Sequence, residues 1–238
     1  MTVLLHLEDS YLRKFEAKIV ETSPPLLILD KTAFYPRGGG QESDRGTLEI
    51  GSERFKLVDC FKKGSEVFHK IEGKNISLLK QRQIVVGKID WSRRYKMMRY
   101  HTAQHLISAI ALDVWGAVTA GNQIHENRSR IDFLMQGGNP IDFEELFKIS
   151  NEEMAKKRPV NVFFLDREEA ENTLNAERCR LDKLPKNINR VRIIEIEGLD
   201  KCACGGTHVA NTSEIGKMRL VKKVNKGKGI RRIEFVVE

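Results

Sequence analysis

Two short motifs in the 238-residue chain carry side chains that bind metals. His101 and His105 lie four residues apart in HTAQH, and Cys204 and His208 lie four apart in CGGTH. On a helix, a four-residue step puts both imidazoles of the first motif on one face, one turn apart. The second motif reads as a turn whose two glycines let the backbone fold tightly beneath an ion. Each motif alone also has an ordinary reading, as chance helical histidines or as a turn with a buried thiol. Together, imidazole nitrogen and thiolate sulfur match the donor preference of zinc. The H-E-x-x-H pattern of metalloproteases is not met, because position 102 is threonine and the general-base glutamate is missing. Cys202 is a rival to Cys204 and ranks lower because it falls outside the four-residue spacing. Four protein ligands usually mean a closed structural site, whereas catalysis needs an exchangeable position, and spacing leaves both open.

The elements that must position these residues fall into two groups. Up to residue 90, short β-rich stretches recur at 2–7, 15–21, 26–29, 46–50, 55–61, 66–71 and 84–89. Turn signals separate them, at Ser23-Pro24-Pro25, Gly38-Gly39-Gly40, Lys63-Gly64 and Glu72-Gly73. This spacing predicts a small β-barrel. From residue 91 the apolar residues take a helical period to about residue 117, with Asp90 or Ser92 as N-cap and Gly116 as the stop. A Gly/Asn/Gln loop is expected next, then a strand at 130–134. A helix follows at 142–157, opened by a capping box of Asp142 and Glu145. The expected order continues with a strand at 160–165, a helix at 167–179, and strands at 190–197, 218–224 and 230–237. The fold class is α+β, with a β-barrel domain at 1–90 and an α+β domain at 91–238.

Hydrophobic residues make up 40% of the chain and charged residues 31%, which suits a globular protein with real cores. No apolar run approaches the roughly 20 residues of a membrane span. The N-terminus lacks a basic region followed by an apolar one, so a cytoplasmic protein with free or metal-bound thiols is expected. Net charge is +8, which favours a polyanionic partner. Between residues 216 and 233 stand Lys217, Arg219, Lys222, Lys223, Lys226, Lys228, Arg231 and Arg232, with no acidic residue among them. They read either as the open face of a strand pair or as a phosphate-contacting surface. The run Gly38–Gly40 lacks the Walker lysine and the GxGxxG spacing, which argues against nucleotide binding there.

Several motifs together resemble one family. HTAQH, CGGTH and GIRRIE (229–234) are similar to the editing domain of alanyl-tRNA synthetase. So are FYPRGGGQ (34–41) with Asp44 and Gly46, Asp90-Trp91 with Arg94 and Arg99, and the stretch from NQI to RIDF at 122–133. The order is collinear over nearly the whole chain, which is too short for an aminoacylation domain. The sequence therefore resembles a free-standing alanyl-tRNA editing protein, the AlaX family in its medium-length form. Arg37 stands where glutamate is frequent, and Gln104 where synthetase domains often carry threonine.

The resemblance implies an N-terminal barrel and a C-terminal α+β domain shared with alanyl- and threonyl-tRNA synthetases. It implies an ATP-independent, zinc-dependent aminoacyl-tRNA hydrolase acting on tRNA(Ala) mischarged with serine or glycine. The family zinc ligands carry over onto His101, His105, Cys204 and His208. Zinc would activate a water or anchor the aminoacyl group through its amine. Gln104, between the ligand histidines, and Gln123, before RIDF, are candidates to touch water or substrate. Thr32 is a candidate to pair the serine hydroxyl, since a site built for a hydroxyl rejects its absence. Arg231 and Arg232, together with Arg93, Arg94, Lys96 and Arg99, are candidates to hold acceptor-stem phosphates. The rival reading is a non-catalytic tRNA-binding module with structural zinc.

Overall fold

The computed structural model describes residues 1–135 and 140–238. The chain divides into two compact units, Met1–Met97 and Met98–Glu238.

In the N-terminal unit, a short parallel pair joins β1 (Val3–Leu4) to β4 (Lys31–Thr32). Six strands close a barrel: β2 (Lys14–Ser23), β3 (Leu26–Leu29), β5 (Gly46–Ile50), β6 (Glu53–Lys63), β7 (Glu66–Glu72) and β8 (Ile84–Ile89), in the order β2-β3-β7-β6-β5-β8. Alternation drives the closure. Phe15, Ala17 and Ile19 of β2 point inward, with Lys14, Glu16 and Lys18 outward. They meet Leu27, Leu29, Phe34, Leu48, Phe55 and Val85 in one core. Gly87 permits a close approach, since a Cβ there would lie 2.3 Å from the Phe15 ring. The strand expected over 2–7 is only Val3–Leu4, because a 3₁₀ turn over Leu5–Leu7 follows at once.

Arg94, Asp44 and His69, all buried in this unit, are paired. Arg94 is wholly buried, and its Nε donates to both Asp44 oxygens at 3.0 Å. Its Nη1 donates to the Ser10 carbonyl at 2.8 Å and its Nη2 to the Ala33 carbonyl at 2.6 Å. Asp44 also accepts the Tyr35 N–H at 2.6 Å, so the pair fixes the chain around the FYPRGGGQ block. His69 is buried as well. Its Nδ1–H donates to the Leu27 carbonyl at 3.2 Å, which leaves Nε2 to accept the Thr32 hydroxyl at 2.9 Å. Burial pulls the His69 pKa down to about 4.

In the C-terminal unit, β9 (Ala117–Ile124) and β10 (Ser129–Met135) join β14 (Met218–Gly227) and β15 (Ile230–Val237) in the order β14-β15-β10-β9. A second sheet, β11-β12-β13, comprises Val160–Asp166, Arg190–Ile196 and Asp200–Ala203. The helices are α1 (Trp91–Trp115), whose residues up to Met97 fall in the N-terminal unit, α2 (Phe143–Ala155) and α3 (Arg167–Thr173). Asp90 caps α1 by accepting the Arg93 N–H at 3.2 Å, and Asp142 caps α2 by accepting the N–H groups of Glu144 and Glu145. The rings of Tyr100 on α1 and Phe147 on α2 pack against Phe235 of β15. No helix among the described residues is long and apolar enough to cross a membrane.

Two expectations change here. The loop expected after Gly116 is strand β9, because seven residues of β10 pair with it despite its glycine and amides. The helix expected over 167–179 ends at Thr173. There the Thr173 hydroxyl bonds back to the Glu169 carbonyl, and Asn175 accepts the Glu177 N–H in a turn of its own.

Arg94→Ala would leave the Asp44 carboxylate buried without its cation, and unfolding free energy in urea is expected to fall by about 3–5 kcal/mol. The His69 contribution is complete above pH 6.5 and is lost as pH falls towards about 4, because the unfolded ring takes the proton first. Urea titrations across that window should show a loss on the order of 2–3 kcal/mol that His69→Gln abolishes.

Candidate metal centre

The HTAQH segment lies within α1, and its four-residue step presents His101 and His105 on one face. The CGGTH segment follows β13 and brings Cys204 and His208 to the same place. One ligand atom from each of these four residues falls within a group spanning no more than 4.8 Å. Cys204 Sγ lies 3.6 Å from His101 Nε2 and 3.4 Å from His208 Nε2. The three histidines are buried. Cys202 stands apart, with its Sγ donating to the Arg178 carbonyl at 3.3 Å.

Neighbours fix how the rings present themselves. His105 Nδ1 lies 3.0 Å from the Asp200 carboxylate, which can only accept while ionised, so Nε2 is turned to the cluster. The Thr102 hydroxyl donates to the Met98 carbonyl at 3.0 Å. Its oxygen therefore accepts the Val209 N–H at 3.2 Å and the His208 Nδ1–H at 3.2 Å, which again turns Nε2 to the cluster, 3.4 Å from Cys204 Sγ. The turn holding Cys204 needs no glycine conformation. Neither Gly205 nor Gly206 takes a positive φ, and a Cβ on Gly205 would meet nothing within 4 Å. The turn is held instead by Arg192, whose Nη1 donates to the carbonyls of Cys204 at 2.7 Å and Gly206 at 2.9 Å.

The electrostatics suit a cation. Burial pushes the Cys204 thiol up, but the charges of His101 and His208 outweigh it and hold the thiol well below its usual range. Burial, with His101, holds His208 well below the usual imidazole range. Burial pulls His105 down too, but Asp200 and Cys204 outweigh it and raise the ring to about 10. A thiol held below its usual range is poised as the thiolate that a divalent cation binds.

A family described as the threonyl and alanyl tRNA synthetase second additional domain matches residues 191–234, and one described as class II (A) tRNA synthetases matches residues 4–93. An alanyl-tRNA editing protein AlaX-M of Methanosarcina barkeri is 42% identical, over 100% of this chain and 99% of its own. One of Saccharolobus solfataricus is 42% identical over 100% of both chains. The chain belongs to the AlaX family of alanyl-tRNA editing proteins. An alanine–tRNA ligase of Ignicoccus hospitalis is 36% identical over 96% of this chain, which spans 25% of that larger protein.

Against the AlaX expectations, the remaining residues fall as follows. Gln104 is buried, with Nε2 donating to Ser108 Oγ at 2.9 Å and Oε1 accepting from Asn122 Nδ2 at 3.0 Å. Gln123 lies on strand β9 rather than in a loop, is exposed, and accepts from Arg130 Nε at 2.7 Å. Thr32 lies in the N-terminal unit, where its hydroxyl donates to His69 and accepts the Phe34 N–H at 3.2 Å.

Strand alternation turns Arg231 and Arg232 to opposite faces of the sheet. Arg232 forms a two-bond pair with Asp132 at 2.6 and 2.8 Å, while Arg231 reaches Asn225. Arg99 donates to the carbonyls of Ile215 at 2.8 Å and Glu238 at 2.7 Å. Arg93 is turned inward rather than towards solvent, and like Arg94 is a structural partner of the N-terminal unit. It is 4% exposed, donating to the Ser43 carbonyl at 3.1 Å and to Glu42 at 2.7 Å.

Sequence reasoning passed over Thr102, Asp200 and Arg192, none of which carries a motif signal of its own. Thr102→Val is expected to weaken metal binding by about tenfold or more, and Thr102→Ser to leave it near wild type. Competition with a chromophoric chelator reads both.

Proposed function

We propose that this chain is a zinc-dependent hydrolase that acts in trans on tRNA(Ala) carrying the wrong amino acid, serine or glycine. The observation that supports this most is the buried cluster of His101, His105, Cys204 and His208 in a member of the AlaX family. Zinc fits the donors. A tetrahedral ion with one thiolate and one imidazole ligand sets their atoms about 3.5 Å apart, against 3.4 and 3.6 Å here. When bound, zinc supplies a Lewis acid beside the ester that joins the amino acid to the terminal ribose.

The chain's own residues do the rest. Asp200 and Thr102 hold His105 and His208 in the ligating tautomer. Gln104 keeps a second amide N–H, beyond the one given to Ser108, to orient water or the aminoacyl group. Gln123 is proposed to contact the aminoacyl end. The polyanion is proposed to run along the β14–β15 hairpin, where Lys222, Lys226 and Lys228 are exposed and Arg231 stands at the end of the sheet. The four-donor set also suits a structural ion in a protein that holds tRNA without chemistry.

Deacylation of Ser-tRNA(Ala) and Ala-tRNA(Ala), with and without a zinc chelator, separates the two. Fast loss of serine, retention of alanine and at least 100-fold loss of rate in Cys204→Ala are expected. Serine that stays attached while tRNA and zinc still bind would leave the binding module as the account.

A further inference from the structure

Beyond the ligands and their direct partners, one arginine connects the cluster to the rest of the C-terminal unit. Arg178 lies just after α3, in the stretch that leads towards β12. Its Nη1 donates to the Leu199 carbonyl at 2.6 Å and contacts Asp200 Oδ1 at 3.3 Å. Its Nη2 donates to the Ala109 carbonyl at 3.3 Å and pairs with Asp113, both on α1. The other oxygen of Asp200 accepts from His105 Nδ1. One guanidinium therefore grips the helix that carries two ligands and the carboxylate that orients one of them. Asp200 is 7% exposed, so water offers its Oδ1 little in place of the arginine.

We propose that Arg178 is a positioning residue for the metal. It holds the Asp200 carboxylate correctly rotated, so that His105 presents Nε2 to the ion at a fixed distance from α1. The proposal rests on the four residues being the metal site. A fork of N–H groups suits the task where an ammonium does not, because two elements must be held at once. Metal-ligand imidazoles depend on such partners for both tautomer and basicity.

Arg167 supplies the comparison. It too bonds several carbonyls in this part of the chain, those of Pro185 at 2.9 Å, Ile188 at 3.1 Å, Leu181 at 3.3 Å and Leu184 at 3.4 Å. Its carboxylate partner is Glu171, which touches no ligand. Arg167 should therefore serve stability and not the metal.

The test measures zinc affinity by chelator competition, and the visible spectrum of the protein loaded with cobalt(II) alone. Arg178→Lys and Asp200→Asn are expected to weaken zinc by about 10-fold or more and to shift the cobalt bands. Arg167→Lys should lower the melting temperature with zinc affinity and cobalt spectrum unchanged. Asp113→Asn, on the exposed side of Arg178, is the variant least able to disturb folding. A loss of about twofold to fivefold is expected of it. Arg178→Lys and Asp113→Asn that bind zinc as wild type does, with an unchanged cobalt spectrum, would overturn the proposal whatever their melting temperatures. A wild-type chain that binds neither ion would overturn the metal site itself. Normal zinc affinity without deacylation would leave Arg178 in its role and remove only the hydrolase reading.

Discussion

Four donor atoms packed within 4.8 Å of one another, three of them on buried rings, compete for protons unless a cation sits among them. Taking a thiolate out of water costs several kcal/mol unless positive charge is close. That demand accounts for much of what surrounds the cluster. α1 must be helical through residues 101–105 to bring two rings onto one face. The CGGTH turn must be held from behind, which Arg192 does through two carbonyls. Asp200 and Thr102 must each accept a hydrogen bond from the N–H on the far side of a ring. The N-terminal unit solves a related problem with a permanent charge, because Arg94 meets Asp44 out of contact with solvent.

Much of this was legible in the sequence, and the reasons are physical. The candidate ligands announce themselves because a helix brings His101 and His105 onto one face and because a cysteine and a histidine recur at the same spacing in CGGTH. The barrel is legible because burial on one face of each strand writes a period of two into the sequence. Asp200 and Thr102 are not legible. Asp200 lies 95 residues from the ring it orients, and a threonine within a helix gives no signal of its own. Strand β9 was hidden for another reason. Its residues Gly121, Asn122 and Gln123 favour loops locally, and only pairing with β10 makes them a strand. The end of α3 turns on two side-chain bonds, from Thr173 and Asn175, that composition does not reveal.

The basic C-terminal segment shows how far a charge count reaches. Eight cations between residues 216 and 233 read as one patch. In a strand pair, successive side chains leave by opposite faces. Arg219 is met by Glu238 and Lys223 by Glu144, and Arg232 is taken up by Asp132. The cations left over, among them Lys222, Lys226 and Lys228, are fewer than the linear run suggests.

The border between the compact units falls inside α1, after Met97, and not at the change of pattern near residue 90. The first two turns of that helix belong to the barrel because Arg93 and Arg94 lie on them. An attempt to dissect the protein at the visible seam in its sequence would strip the barrel of its internal counter-ion while leaving every strand intact. The smallest fragment with a balanced interior therefore carries a helical tail.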